Sequence, residues 1–305
     1  MNMEFLDTAF LQGKFIKFSD AKISIATHAL HYGTAAFGGL RGWVDEKNPT
    51  QAYLFRLSDH AKRLSQSAKY LQADFPAYYI EEKITKFVKL NQPKKPFYIR
   101  PLVYTSDLGI APRVHNAEKD LLIYGLSLGE YLNPEGVSVC FSSWARQPDA
   151  SLPLRGKISG AYITSSLAKS EAVNRGFDEA ILLRTDGKVA EASGMNIFIV
   201  RDNVVITPGV EQDILEGITR RSVIQVLKDL GYQVVERPVD KSELYIADEV
   251  FLCGTAARVA PVNKVENAKL KAPGLITKEL MSIFDDITKN NSKTYSNWID
   301  TISYD

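Results

Sequence analysis

The chain has 305 residues, 45% hydrophobic and 24% charged, and its 37 basic residues offset 36 acidic ones to a net charge of +1. That length predicts about two domains, each able to bury its own core. The even mixing of charge excludes a basic stripe for nucleic acid or an anionic membrane, and no apolar run approaches the roughly 20 residues of a bilayer span. Strand-like and helix-like stretches alternate throughout, the pattern of an α/β or α+β architecture. Phe15–Phe18 and Lys22–Ile25 read as short strands separated by a turn. Ser58 is an expected N-cap for a helix over Asp59–Gln72, where Ala61, Leu64, Ala68 and Leu71 recur at helical spacing. A second amphipathic run over Glu81–Leu90 is ended by Pro93 and Pro96, and strands are predicted at Phe97–Thr105 and Leu121–Leu128.

Turn formers concentrate in Gly129–Gly136, so the predicted organisation is a small N-terminal domain over 1–130, a linker over 131–147 and a large domain over 148–305. Val137–Phe141 reads as a strand, followed by a helix from about Tyr162 to Arg175 stopped by Gly176. Asp186-Gly187 and Asp202-Asn203 are hairpin signals, each between two apolar runs. Helices are expected over Thr219–Leu230 and Leu275–Lys289, around a strand at Glu249–Cys253, and the last dozen residues form a docked or frayed tail. The two cysteines, Cys140 and Cys253, fit no CxxC pattern, and Met1–Asp7 has neither a basic n-region nor an apolar h-region. A cytoplasmic location in a reducing compartment is the expectation.

Lys157 stands in Arg155-Gly156-Lys157-Ile158-Ser159-Gly160-Ala161-Tyr162, among glycines and small residues just ahead of a helix-like run. Such a lysine can lie close to a ligand, and burial lowers its proton affinity and makes the amine nucleophilic. Glu191 follows in Lys188-Val189-Ala190-Glu191-Ala192-Ser193-Gly194-Met195-Asn196. A carboxylate is the usual partner of the pyridine nitrogen when the carbonyl belongs to pyridoxal 5′-phosphate (PLP). Two segments offer a phosphate seat, Gly217-Ile218-Thr219 at a helix start and Gly254-Thr255-Ala256-Ala257 after a strand. Any one of these features is common in α/β proteins. His28 and His31 lack a metal-binding partner pattern, so a structural role is favoured and no metal is expected. The run Gly33, Gly38, Gly39, Gly42 does not match GxGxxG, and neither a P-loop nor a GxSxG elbow is present.

Taken together, these segments resemble the fold-type IV PLP aminotransferases, most closely the branched-chain amino-acid aminotransferases, over about residues 18–265. His28-Ala29-Leu30-His31-Tyr32-Gly33-Thr34 with Phe37, Gly39 and Arg41 is similar to the family's N-terminal signature. His60-Ala61-Lys62-Arg63-Leu64 and Tyr98-Ile99-Arg100-Pro101-Leu102 are similar to its phosphate-gripping helix and its pocket strand. The lysine, Glu191, Gly217 and Gly254 segments then fall in family order. The resemblance implies a two-domain α/β fold with PLP between the domains, and transamination between branched-chain L-amino acids and 2-oxoglutarate.

By that resemblance Lys157 would bind PLP covalently and later shuttle the proton between substrate Cα and cofactor C4′. Glu191 would pair with the pyridine nitrogen and Tyr162 with the phenolic oxygen, while Arg63, Ile218, Thr219 and Thr255 would hold the phosphate. Gly194, Asn196 and Gly217 belong to the same cofactor-binding segments. The amides of Thr255 and Ala256 would receive the substrate carboxylate. Tyr32, Phe37, Gly39, Tyr98 and Tyr131 would wall the side-chain pocket, and Arg41 and Arg100 would receive the γ-carboxylate of glutamate. A salt bridge is the alternative for Arg100. The partners implied are small amino acids and 2-oxo acids, and the assembly a homodimer at least, with a hexamer of dimers as a larger option.

The chain departs from the family pattern in carrying Gly38 before Gly39, Met195 in place of a glutamate, and Leu128 in place of a tryptophan. The loop Leu108–Arg113 is the stretch that tunes preference in the family. Runner-up readings are an (R)-amine or D-amino-acid aminotransferase, an aminodeoxychorismate lyase, or a PLP-binding protein without turnover. A nicotinamide oxidoreductase would want a GxGxxG motif that is missing.

Overall fold

The computed structural model describes residues 4–45, 47–129 and 132–305. The chain first builds strands β1 (Thr8–Leu11) and β2 (Lys14–Lys17), helix α1 (His28–Tyr32), and strands β3 (Ala35–Phe37), β4 (Leu40–Val44) and β5 (Gln51–Phe55). Helices α2 (Leu57–Ala68) and α3 (Ala77–Asn91) lead to the long strands β6 (Phe97–Thr105) and β7 (Lys119–Ser127). Next come β8 (Val137–Phe141), α4 (Tyr162–Asn174), β9 (Glu179–Leu183), β10 (Val189–Ala192), β11 (Asn196–Arg201) and β12 (Val204–Thr207). Helix α5 (Ile218–Asp229), β13 (Val234–Glu236), β14 (Glu249–Gly254), β15 (Arg258–Val265) and β16 (Ala268–Lys269) follow, and α6 (Leu275–Thr288) and β17 (Ile299–Ser303) close the chain.

Two compact units result, and neither is contiguous. The first holds the described residues up to Gly129 together with Gly156–Gly160 and Asp285–Asp305; the second holds the described residues 132–155 and 161–284. The short segment carrying Lys157 therefore packs with N-terminal residues, where the sequence division placed it in the C-terminal domain. Within the expected linker, residues 137–141 form a sheet strand.

The first unit is an antiparallel sheet ordered β17-β5-β4-β6-β7-β1-β2, with β3 also paired to β6. Strand β6 shows why one of its faces is available for chemistry. Phe97, Ile99 and Val103 alternate inward and are buried against Leu57, Ala61 and Leu64 of α2 and Ile80, Ile84 and Phe87 of α3. The intervening Tyr98, Arg100 and Leu102 point to the opposite face and are only half-buried. The tail is docked: β17 pairs with β5 from Ile299↔Phe55 to Ser303↔Gln51.

The second unit is a mixed sheet ordered β10-β9-β8-β15-β14-β11-β12-β13. Helix α4 packs Ala168 and Ala172 on Cys140, Ala180 and Leu182 of β8 and β9. The turn joining β11 to β12 has Asp202 and Asn203 at φ 50° and 63°, the left-handed pair that an Asp-Asn hairpin signal calls for.

Three local expectations are corrected. Lys22–Ile25 is not a strand: Ser24 accepts hydrogen bonds from the Thr27 and Ala26 amides, which curls the segment into a turn and leaves Ile25 exposed. Helix α2 begins at Leu57, and Ser58 does not cap it. Arg56 turns the chain at φ 55°, Asp300 of β17 accepts the Leu57 amide at 3.2 Å, and the Ser58 hydroxyl donates to Glu81 at 3.0 Å. Helix α3 starts at Ala77, before Glu81, because Pro76 supplies a ready-made extended residue at its N-terminus.

Candidate active site

In the first unit the Lys157 backbone is clamped on both sides. Its amide donates to Ser67 Oγ at 3.1 Å, and its carbonyl accepts the Phe37 amide at 2.9 Å. Ser67 in turn donates to the Arg63 carbonyl one helical turn earlier, at 2.8 Å, so α2 aligns the lysine and Arg63 through one hydroxyl. The neighbouring glycines have a packing reason. A Cβ on Gly33, itself at φ 65°, would meet the Gly160 Cα at 2.8 Å, and Gly160 donates to the Gly33 carbonyl at 3.1 Å.

The Lys157 side chain ends 4.8 Å from the centre of the Phe37 ring, and the Arg100 guanidinium lies 4.7 Å from the same ring. Arg100 also donates to the Tyr98 hydroxyl at 3.1 Å. A Cβ on Gly39 would collide with the Tyr98 phenol, so glycine at 39 is what gives that ring its seat. One sheet face thus groups an amine, a guanidinium, a phenol and an apolar ring. Each cation gains from the ring quadrupole.

In the second unit Glu191 is buried on β10, just past a shift in register where Val189 opposes Leu183 and Glu191 opposes Leu182. Such a bulge re-aims a side chain. Glu191 Oε1 pairs with Arg146 Nη2 at 2.7 Å, and Oε2 accepts Asn196 Nδ2 at 2.9 Å and the Leu215 amide at 3.2 Å. Asn196 also donates to the Leu215 carbonyl at 2.9 Å. Two residues on, Gly217 is the extended N-cap of α5, with Ile218 and Thr219 buried in its first turn. Four amides at that terminus have no intrahelical acceptor and favour an anion. The Cys253 thiol, paired in register with Asn196, is pushed up to about 12 by burial, with the Glu191 charge adding to the rise and Arg220 opposing it. Tyr162 opens α4, Gly194 lies in the β10–β11 turn, and Thr255 and Ala256 sit half-buried just after β14.

Two of the expected pocket residues hydrogen-bond to backbone carbonyls. The Arg41 guanidinium is buried and donates to the Leu128 carbonyl at 3.2 Å and to that of Gly129, bracing the end of β7. The Tyr32 hydroxyl donates to the Ile110 carbonyl, and its ring packs on His28 at 4.6 Å. Tyr131 lies outside the described residues. The His28 ring is hydrogen-bonded on both sides, through Nε2 to the Ala111 carbonyl at 2.7 Å and through Nδ1 with the Thr34 hydroxyl at 2.8 Å. Sequence reading missed Ser67 and Arg146. Ser67 carries a weak signal, one helical turn after Arg63; Arg146 carries none.

The sequence profile of the family described as amino-transferase class IV matches residues 43–265. The chain belongs to the class IV aminotransferases. Several proteins it is similar to within that family are branched-chain aminotransferases. A probable branched-chain-amino-acid aminotransferase of Synechocystis sp. is 59% identical, covering 97% of each chain. The solved branched-chain aminotransferase of Thermoproteus uzoniensis with norvaline is 36% identical, with a TM-score of 0.93 over 99% of this chain and 100% of that one. The PLP form of the branched-chain amino acid aminotransferase of Thermobaculum terrenum is 34% identical, with a TM-score of 0.93 over 98% and 99%.

Proposed function

We propose that this chain transaminates branched-chain L-amino acids (leucine, isoleucine, valine) with 2-oxoglutarate, using PLP. The observation that carries the reading is a lysine clamped at both backbone groups together with a buried carboxylate whose two oxygens are oriented by Arg146, Asn196 and Leu215. The donor set fits the cofactor: an amine for its carbonyl, a carboxylate for its ring nitrogen, and a helix N-terminus for its phosphate. Bound PLP supplies the electron sink that makes an amino-acid Cα–H bond breakable.

The protein's own groups do the remainder. Lys157 Nζ would take the proton from the substrate Cα and deliver it to the cofactor C4′. Glu191 holds the proton on the ring nitrogen, and Tyr162 donates to the phenolic oxygen. Arg63, Ile218, Thr219 and Thr255 hold the phosphate, within segments shaped by Gly194, Asn196 and Gly217. The Thr255 and Ala256 amides take the substrate carboxylate. Tyr32, Phe37, Gly39, Tyr98 and Tyr131 bound the side-chain pocket. Arg100 suits the second carboxylate of glutamate, since the ring beneath it also offers an apolar surface to an aliphatic chain. Arg41, whose guanidinium also donates to two backbone carbonyls, is the second cation for that carboxylate in this reading.

A homodimer in the cytoplasm is part of the same reading. Ile25, Leu30, Leu108 and Ile110 are exposed on two segments joined by the Thr27–Leu108 bridge, and a second copy of this chain is the occupant proposed for them. Replacing Lys157 by alanine is expected to abolish turnover with leucine and 2-oxoglutarate while leaving the circular dichroism spectrum intact. Near-normal turnover by a folded Lys157→Ala protein would overturn the assignment.

A further inference from the structure

Both members of the Arg146–Glu191 pair are inaccessible to solvent, with side-chain exposures of 7% and 8%. An ion pair so placed is poor evidence for stability, because desolvation of the two charges cancels much of their attraction. Arg146 is held independently of Glu191. Its amide donates to the Leu183 carbonyl at 2.8 Å and its Nε to the Asp213 carbonyl at 3.0 Å. Asp213 is pinned in its turn by Arg184 at 3.0 Å and by the Asp149 amide at 3.2 Å. The guanidinium is therefore a fixed two-ended fork, one end on the strand carboxylate and the other on the loop that runs into the α5 N-terminus. Leu215 of that loop donates its amide to Glu191 and accepts Asn196 at its carbonyl.

We infer that Arg146 is a positioning residue for the reaction: it keeps Glu191 an aimed carboxylate before the cofactor arrives and ties the ring-nitrogen end of the site to the phosphate end. This rests on the reading that Glu191 faces the ring nitrogen. A buried carboxylate stripped of its cation takes up a proton rather than remain charged. A protonated Glu191 cannot stabilise a positive ring nitrogen. Lysine at 146 keeps the charge but not the fork, because a point ammonium cannot serve Asp213 and Glu191 in two fixed directions.

The test compares the full-length wild type with Arg146→Met, Arg146→Lys and Glu191→Gln, each with PLP and after its removal. Infrared difference spectra of the PLP-free Arg146→Met protein at neutral pH are expected to show a protonated-carboxyl band that vanishes in the Arg146→Met/Glu191→Gln double variant. Arg146→Lys is expected to lack that band, yet to lose PLP on dialysis faster and to turn over on the order of tenfold to a hundredfold more slowly, the range seen when partners orienting metal ligands are removed. Should Arg146→Met not fold, the lysine variant decides by its PLP retention. Wild-type retention and turnover in Arg146→Lys, or an ionised Glu191 in Arg146→Met, overturns the inference. Wild-type spectra and turnover in Glu191→Gln would instead overturn the reading of Glu191 on which it stands.

Discussion

Replacing Gly217 by alanine isolates the coupling between the carboxylate network and the helix N-terminus. Gly217 has φ −66° and ψ 133°, which alanine adopts without strain, so any cost is steric. The new methyl collides with Asn196 Oδ1 and lies 3.2 Å from its Cγ. Asn196 escapes only by giving up its 2.9 Å bonds to Glu191 and to the Leu215 carbonyl. One neutral bond and one to a charged acceptor are together worth about 2–4 kcal/mol, and overpacking a buried site costs about 1–3 kcal/mol. The site adopts whichever response costs less, so the expected penalty is about 1–3 kcal/mol, read as a drop in the urea midpoint and as weaker PLP affinity, about tenfold for each 1.4 kcal/mol that reaches binding. In an Asn196→Ala background the collision with Asn196 is gone and only a tight 3.3 Å approach to the Arg220 Cβ remains, so adding Gly217→Ala should cost less than about 1 kcal/mol more. Costs that simply add across the double variant would refute the steric argument and, with it, the linkage of the two ends.

Two further predictions follow from single groups. Glu243 is held down to about 2, first by its bond to Arg237 and further by the Asp240 amide and Arg201. A depressed carboxyl stabilises the fold above its unfolded pKa of 4.5 and loses that contribution as pH falls from there toward about 2. After discounting for the half-exposed Arg237, the contribution is about 2 kcal/mol, and Glu243→Gln should flatten the acid limb of stability against pH in that window, checked by urea unfolding. Arg100→Met should lower kcat/KM for L-glutamate about tenfold to a hundredfold while affecting L-leucine far less, since only the dicarboxylate loses a charge-assisted bond. Equal losses on both substrates in steady-state assays would remove Arg100 from the specificity role.

The site residues legible in the sequence are those whose role is local. Tyr98 and Arg100 share a face because strand side chains alternate, and Lys157 announces itself through the small residues that let its segment approach Gly33. What stayed hidden depends on partners distant in the chain. Asp300 caps α2 from the far end of the molecule's sequence, so Ser58 looked like the better cap than it is. Arg146 acquires its meaning only when β9, β10 and the 209–216 loop converge, and nothing in Ser142-Ser143-Trp144-Ala145-Arg146 marks it. Arg41 likewise donates to the carbonyls of Leu128 and Gly129, partners 87 and 88 residues away that its own motif does not reveal.

The most direct test of the central claim is a single half-reaction. Protein loaded with PLP is mixed separately with L-leucine, L-isoleucine, L-glutamate, D-alanine and an (R)-arylamine, and the absorbance of the bound cofactor is followed without any oxo acid present. The account predicts rapid conversion with the L-branched amino acids and with L-glutamate, and little with the other two. Conversion by D-alanine or the (R)-arylamine alone would contradict the assigned substrate, and a folded protein that shows no cofactor absorbance at all would contradict the chemistry assigned to Lys157.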